Sequence, residues 1–135
     1  MKAVDTNVLA RFFVNDSEDP ESARQRPKAA RAMAGKVFVP VTVLLEFEWV
    51  LRGFYQLTRA EVGRVLRALC GLENVSLEDR VSVLAACDLH AGGLDLADAL
   101  HLARSQACDA LQTFDRRLPS RAARAGASLK VELLR

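Results

Sequence analysis

Residues 2–13, KAVDTNVLARFF, decide the fold class that this sequence predicts. Residues 2–5 form a short run typical of a buried strand, and this run ends in an aspartate. Apolar residues then recur at helical spacing after the polar pair Thr6-Asn7; they are Val8, Leu9, Phe12 and Phe13. The stretch therefore predicts a strand, a turn and a helix in immediate succession.

Strands and helices continue to alternate along the chain. Short apolar runs predict further strands at residues 37–39, 74–77, 110–114 and 129–133. Helical patterns cover residues 20–34, 42–55, 79–90 and 96–107, and another helix begins after residue 58. Such alternation implies parallel pairing through right-handed crossovers. We therefore expect an α/β fold, with a small parallel sheet of four or five strands flanked by helices on both faces.

Local signals mark the helix boundaries. Asp19 and Pro20 supply an N-cap acid and a proline at the first helical position. Thr58 and Glu61 have the spacing of a capping box, in which each side chain satisfies a backbone amide of the other residue. Pro27 lies inside a predicted helix, and we expect it to kink or divide that helix.

Length and composition limit the protein classes to consider. The 135 residues are enough for one domain, predicted over 1–135, and half of them are hydrophobic, which excludes a disordered chain. The formal net charge of +2 is too balanced to indicate a nucleic-acid binder from bulk charge. Three scattered cysteines and two histidines argue against a zinc site or a disulfide framework, and no signal or membrane segment is evident, so a cytoplasmic protein is expected.

Four acidic residues lie near the predicted carboxyl ends of the strands, where parallel sheets bind ligands. Asp5 and Asp115 end predicted strands, Glu46 lies early in the helix after the second strand, and Asp98 lies in the first turn of a later helix. The carboxyl ends of parallel strands converge at one edge, so all four are expected to reach it. Clustered carboxylates repel one another unless a cation neutralises them. Oxygen-only ligands suit Mg²⁺ or Mn²⁺, and a metal-bound water beside a phosphate indicates phosphodiester hydrolysis.

Polar and basic neighbours accompany these acids. Three short side chains are suited to orient a carboxylate or a metal-bound water; they are Thr6, Asn7 and Thr113. Four arginines are candidates to hold phosphates; they are Arg11, Arg116, Arg117 and Arg121. Simpler roles stay open, because Asp5 and Asp115 are also placed to cap helices.

Two acids compete with the candidates. Glu48 is as acidic as Glu46, and one of the two is expected to be an ordinary solvent-facing charge. Asp95 precedes Asp98 by three residues and is well placed to be the helix N-cap, which would leave Asp98 free to bind a metal.

The motifs around the four acids carry a family resemblance. They are Asp5-Thr6-Asn7, Glu46 within TVLLEFEWVL, Asp98 within LDLADALHLA, and Thr113-Phe114-Asp115. In this order, over residues 1 to 115 or more, the chain resembles PIN-domain ribonucleases, and specifically the VapC-type toxins of toxin–antitoxin pairs. The resemblance implies that the four acids bind Mg²⁺ or Mn²⁺ and that the protein cleaves single-stranded stretches of RNA. It also implies a homodimer, a cognate antitoxin, and repression of their operon by the complex.

Other interpretations and a partner surface remain as hypotheses. A receiver-type phosphoacceptor domain requires an acidic pair after the first strand, whereas Asp5 is followed by Thr6-Asn7. A non-catalytic RNA- or protein-binding module of the same fold is the other alternative, and the four acids count against it. A groove for an antitoxin helix is expected on apolar side chains; these are Leu44, Trp49, Val50, Leu51 and Phe54, with Arg11, Phe12 and Phe13 opposite.

Overall fold

Short parallel strands alternate with helices in both of the compact units into which the chain divides. The computed structural model describes residues 1–135, and the units are Met1–Glu78 and Asp79–Arg135. The first unit contains β1 (Lys2–Ala3), α1 (Thr6–Phe13), α2 (Pro20–Met33), β2 (Val37–Val39), α3 (Val41–Gly53), α4 (Arg59–Cys70) and β3 (Val75–Leu77). The second contains α5 (Arg80–Ala91), α6 (Leu96–Ala103), β4 (Ala110–Thr113), α7 (Leu118–Ala125) and β5 (Lys130–Leu133).

The five predicted strands are present and pair in parallel, which confirms the α/β class. In the first unit the order is β1-β2-β3, with Lys2 opposite Val37 and Val37 opposite Val75. In the second unit β4 pairs with β5, with Ala110 opposite Lys130. The expected single sheet of four or five strands is therefore found as two separate hydrogen-bonded sheets. β1 has only two residues, and β2 is its one hydrogen-bonded neighbour.

Pro27 neither ends nor divides α2, which continues as one helix to Met33. Proline removes one backbone donor, so the carbonyl of Ala23 loses its usual helical partner. Both residues are exposed, on a side of the helix that water reaches, and the lost hydrogen bond costs less there than in the core. At the far end of α2, the Asn74 side chain donates to the carbonyls of Met33 and Gly35, at 2.7 and 2.6 Å.

Two other boundary predictions have clear outcomes. The capping box of α4 is complete, because Thr58 Oγ1 accepts from the Glu61 amide and the Glu61 carboxylate accepts from the Thr58 amide. Helix α6 ends at Ala103, four residues before the predicted end, and a turn closed by the Cys108 amide on the Ser105 carbonyl follows it. Neither α6 nor any other helix has the length and apolarity needed to cross a membrane.

Helix α3 supplies much of the core of the first unit. Leu44, Phe47 and Leu51 are at most 1% exposed, and the ring of Phe47 lies 5.8 Å from that of Phe13 on α1. This burial corrects the predicted apolar groove, because Leu44 and Leu51 are core residues and cannot contact a partner. Trp49 and Phe54 remain largely exposed, at 61% and 71%.

Helices α5 and α7 approach closely where Gly92 caps the end of α5. A Cβ atom built on Gly92 would lie 2.9 Å from the Cα of Ala125 and 3.1 Å from its carbonyl oxygen. Backbone atoms cannot move aside as a side chain can, so a residue without Cβ is needed here. Gly63, inside α4, offers a contrast, because a Cβ atom added there would meet no atom within 4 Å.

We predict that Gly92→Ala destabilises the protein by about 1–3 kcal/mol, the usual cost of forcing extra atoms into a packed contact. Chemical denaturation of the purified variant measures this change. The matched control is Gly63→Ala, which should stabilise the protein by about 0.5–1 kcal/mol because alanine costs less conformational entropy in a helix. Equal effects of the two substitutions would contradict the close approach of α5 and α7.

Candidate active site

Asp5 caps α1 and still presents an unused oxygen. Its Oδ1 accepts a hydrogen bond from the Val8 amide at 3.2 Å, so the capping role considered from the sequence is real. The side chain is exposed, and Oδ2 makes no hydrogen bond. One carboxylate therefore fixes the helix start and offers a free oxygen at the C-terminal end of β1.

Thr6 connects the start of α1 to Glu46 on α3. The buried Thr6 hydroxyl donates a short hydrogen bond to Glu46 Oε1. Glu46 itself is exposed, so the bond orients its carboxylate without removing it from solvent. Because Thr6 follows Asp5 directly, this bond brings Glu46 to the turn that Asp5 caps. The structure thus brings Asp5, Thr6 and Glu46 together at the C-terminal end of the three-stranded sheet.

Glu48 has a different environment from Glu46. It is 4% exposed, and its Oε1 lies 3.0 Å from Arg52 Nε in an ion pair one helical turn along α3. The expectation of an ordinary solvent-facing charge is wrong for Glu48, because the side chain points inward and is neutralised there. Of the two acids, Glu46 is the one that a cation in solvent can reach.

Asn7 and Arg11 lie on the side of α1 that faces α2. The Asn7 side chain makes no hydrogen bond to Asp5 or Glu46, so the role predicted for it as an orienting group is not observed. Arg11 donates from Nε to Gln25 Oε1 at 2.9 Å and from Nη1 to the Tyr55 hydroxyl at 3.0 Å. Neither partner is an acid, so no ion pair offsets the charge of the guanidinium.

In the second unit, Asp98 lies in the first turn of α6 in an electrostatically unfavourable place for a carboxylate. Burial raises the pKa of Asp98 above its ordinary value, and the nearby carboxylates of Asp95 and Asp115 raise it further. His101 and Arg121 act in the opposite direction without cancelling the increase. Asp98 and Asp115 therefore lie close enough to interact electrostatically and share one electrostatic neighbourhood.

Asp95 is at the N-cap of α6, as the sequence predicts, but its side chain makes no capping hydrogen bond. Asp95 therefore has the predicted N-cap position but not the capping hydrogen bond, and metal binding by Asp98 stays a prediction. His101 also affects the charge of Asp98, and the sequence motifs do not single it out. Its spacing of three residues from Asp98 along a helix is the available signal, and its exposed ring lies close enough to lower the pKa of that acid.

Asp115 follows β4 in a turn that its own neighbours organise. The Asp115 amide donates to Thr113 Oγ1 at 2.9 Å, and Asp115 Oδ1 accepts from the Arg117 amide at 2.9 Å. Thr113 thus holds the backbone of Asp115, and its hydroxyl does not donate to the carboxylate. Arg117, and not Asp115, is the N-cap of α7, which corrects the simple capping interpretation. Arg116 and Arg117 are exposed beside this turn.

The donor chemistry of these acids fits a hard divalent cation. The candidates offer only carboxylate oxygens, and burial together with the nearby Asp95 and Asp115 raises the pKa of Asp98, a destabilisation of its charged form that a cation would offset. The four acids form two pairs: Asp5 and Glu46 are in the first unit, and Asp98 and Asp115 are in the second. Within neither unit do three or more acidic, histidine or cysteine side chains form a group that holds a metal. Convergence of all four acids stays a prediction.

Comparison with known protein families decides the assignment. The sequence model of the PIN domain matches residues 2–124, which include all four candidate acids. The chain belongs to the PIN domain family. No curated protein and no solved structure matches it. PIN domains are generally metal-dependent nucleases that usually use divalent metals, so membership gives this chain a nuclease-type fold and suggests RNA as a ligand. The single-domain boundary of 1–135 remains a prediction.

We predict that Asp98→Asn raises the melting temperature of this PIN domain at neutral pH in a chelating buffer. The raised pKa means that folding disfavours ionised Asp98, so the cost exists above that pKa and disappears as the pH falls through it. The difference between variant and parent should therefore shrink on acidification.

Melting curves over a series of pH values test this prediction. Asp109→Asn is the matched control, because Asp109 is an exposed acid before the other end of β4. If Asp98→Asn melts at or below the melting temperature of the parent at neutral pH, the ionised Asp98 carboxylate does not destabilise the folded protein, and the prediction is wrong.

Proposed function

We propose that this PIN domain is a metal-dependent endoribonuclease and the toxin component of a toxin–antitoxin pair. The observation that carries the nuclease proposal is the pairing, in each unit of a PIN domain, of an acid that follows a strand with an acid on a helix. Asp5 keeps a free oxygen beside Glu46, and Asp98 shares its electrostatic neighbourhood with Asp115. We propose these four acids as the catalytic and metal-binding residues.

The proposed reaction is hydrolysis of an RNA phosphodiester. The oxygen of a water molecule bonds to phosphorus, the bond from phosphorus to the 3′ oxygen breaks, and the products carry a 5′-phosphate and a 3′-hydroxyl. Bound Mg²⁺, or Mn²⁺ in its place, would lower the pKa of a coordinated water and offset the charge that develops on the phosphate.

The residues of the first unit provide orientation and a proton acceptor. Thr6 occupies one oxygen of Glu46, which leaves Oε2 to accept a hydrogen bond from the attacking water. The Val8 amide occupies one oxygen of Asp5 in the same way, and Oδ2 remains for the cation. Each carboxylate is therefore held by one hydrogen bond and active through its other oxygen.

Charge placement in the second unit supports a role in holding the cation and the substrate. The burial of Asp98 beside Asp95 and Asp115 favours a bound cation, since a cation would offset both the desolvation and the repulsion between these acids. Arg116 and Arg117 are exposed on the turn after β4 and make no ion pair, so we propose that they contact RNA phosphates.

We predict that the purified protein cleaves single-stranded RNA with Mg²⁺ or Mn²⁺ and that Asp5→Asn slows cleavage at least about 100-fold. Loss of a metal ligand removes several kcal/mol of transition-state stabilisation, and each ~1.4 kcal/mol is a factor of ten. Asparagine keeps the cap on α1, so the variant should remain folded. The assay follows end-labelled RNA with metal and with chelator.

Matched variants make this result specific. Asp109→Asn, at the opposite end of β4 from Asp115, should cleave like the parent. Glu46→Gln should lose activity and keep stability, whereas Glu48→Gln should lose stability, by up to roughly 1 kcal/mol, since it removes the charge of a part-buried ion pair with Arg52. Metal-dependent cleavage by folded Asp5→Asn would overturn the assignment. A protein that binds RNA without any cleavage would favour the non-catalytic alternative.

The toxin role adds a cytoplasmic location, a homodimer and a cognate antitoxin to the proposal. An exposed aromatic pair at the end of α3 supports a protein partner. Trp49 lies in the last turns of this helix and Phe54 is its C-cap, and both side chains are more than half exposed. Large exposed aromatic side chains are typical of protein interfaces.

We predict that the protein co-purifies with the product of an adjoining reading frame when both are expressed together, and that this partner inhibits RNA cleavage. Replacement of Trp49 by Ser should weaken the complex, because an aromatic contact is lost, without reducing the cleavage rate of the free protein. A protein that cleaves RNA but is neither bound nor inhibited by the neighbouring product would retain the nuclease proposal and lose the toxin proposal.

A further inference from the structure

A small groove runs between α1 and α2 beside the proposed active site. Its volume is about 250 Å³. Helix α1 contributes Asn7 and Arg11 to its polar rim, and α2 contributes Gln25 and Lys28. The lining therefore contains two cationic side chains, two amides and no acid, a composition suited to an anion.

Arg11 is already held in position for such a ligand. Its Nε and Nη1 donate to Gln25 and to the Tyr55 hydroxyl, which uses two of the five N–H donors of the guanidinium. Three donors remain without a partner in the protein. The two existing bonds fix the plane of the guanidinium, so less side-chain entropy is lost when an anion binds.

Two acids lie near the groove. Glu21 accepts a hydrogen bond from Gln25 Nε2 at 3.3 Å, and Asp19 is the acid close enough to compete for Arg11. Asp19 caps α2, and both the amide and the hydroxyl of Ser22 donate to its Oδ2, at 3.2 and 2.6 Å. These bonds are the main reason why the pKa of Asp19 is lowered, and the charge of Arg11 contributes less. Asp19 is therefore satisfied chiefly by Ser22, and Arg11 makes no ion pair with it.

The groove begins in the same helical turn that Asp5 caps. Val8, which lines the groove, donates its amide to Asp5, and Arg11 lies about one turn, or ~5 Å, further along α1. The floor of the groove is apolar, with Ala29 and Ala32 beside Val8. A chain that enters the proposed active site thus has a basic rim and an apolar floor next to it.

We propose that the groove between α1 and α2 holds the backbone phosphate next to the scissile one in a single-stranded RNA substrate. Arg11 and Lys28 contact its oxygens, and the neighbouring sugar and base pack on the apolar floor. This assignment rests on the proposed nuclease function. It adds Lys28, Gln25 and Asn7 to the substrate-binding residues, and the motifs around the acids do not indicate Gln25 or Lys28.

Equilibrium binding tests the groove separately from catalysis. The protein background is Asp5→Asn, which keeps the fold and prevents cleavage, and the probe is a short fluorescent single-stranded oligoribonucleotide. Lys28→Ala should weaken binding several-fold and lower the slope of log K against log salt by about 0.7, the value for one phosphate of a single strand. Arg11→Lys should also weaken binding, because lysine cannot reproduce the planar fork.

Lys36→Ala is the matched control. Lys36 is an exposed lysine that precedes β2, and it lies at the opposite end of the parallel sheet from Asp5 and Glu46. It should leave both affinity and salt slope unchanged. Equal effects of Lys28→Ala and Lys36→Ala, or no effect of either, would overturn the groove assignment.

The remaining outcomes separate this proposal from the proposed function. If the parent protein cleaves RNA and Lys28→Ala changes neither KM nor affinity, the nuclease stands and the groove assignment fails. If the parent does not cleave but Lys28→Ala weakens RNA binding specifically, the nuclease fails and so does the placement beside a scissile phosphate, and the groove is a phosphate site of a non-catalytic RNA-binding module. If Lys28→Ala weakens only the complex with the adjoining gene product, the groove is a protein-docking surface and the RNA assignment is wrong.

Discussion

The parallel pairing of β1 with β2 is the constraint on which the candidate site of the first unit depends. Because both strands run in the same direction, the residues that follow them emerge at the same end of the sheet. Asp5 follows β1 directly, and α3, which carries Glu46, begins two residues after β2. The hydrogen bond from Thr6 to Glu46 then joins these two connections. A two-residue strand is thus sufficient to position a pair of carboxylates, since the helices that follow it supply the rigidity.

The acids on the two units are stabilised by different means. On the first unit the candidate acids Asp5 and Glu46 each have one oxygen satisfied by a hydrogen bond from α1, and both are exposed. On the second unit Asp98 is partly buried near two other acids, and its pKa is raised accordingly. Asp98 is therefore distinguished by its burial and by the acids beside it, while Asp5 and Glu46 are each oriented by a hydrogen bond from α1.

Local sequence signals predicted the elements well and long-range contacts poorly. The strand and helix that surround Asp5 follow from a run of twelve residues, and the capping box of α4 follows from two residues three positions apart. The strands form two sheets because of backbone pairing between segments that are distant in sequence. The spacing of apolar residues along the chain does not predict this pairing. Pro27 shows a related limit, because the cost of a proline in a helix depends on whether solvent reaches that side. The candidate site also combines local signals with contacts that the sequence does not show. Glu46 and Glu48 are two residues apart, and only the packing of α3 shows that Glu48 is the acid paired with Arg52.

Charge placement, and not net charge, is the informative quantity for this protein. The balanced total of 19 basic and 17 acidic residues argues against a nucleic-acid ligand only if the charges are evenly mixed. With the four candidate acids set aside, 13 acidic residues remain against 19 basic ones, and the groove beside Asp5 contains two cations and no acid. In the proposed function, the candidate carboxylates would repel an RNA phosphate until a cation binds, after which the basic residues would dominate. Binding of metal and binding of RNA are therefore expected to be coupled, because the same cation both relieves the repulsion between the acids and removes the barrier to the phosphate.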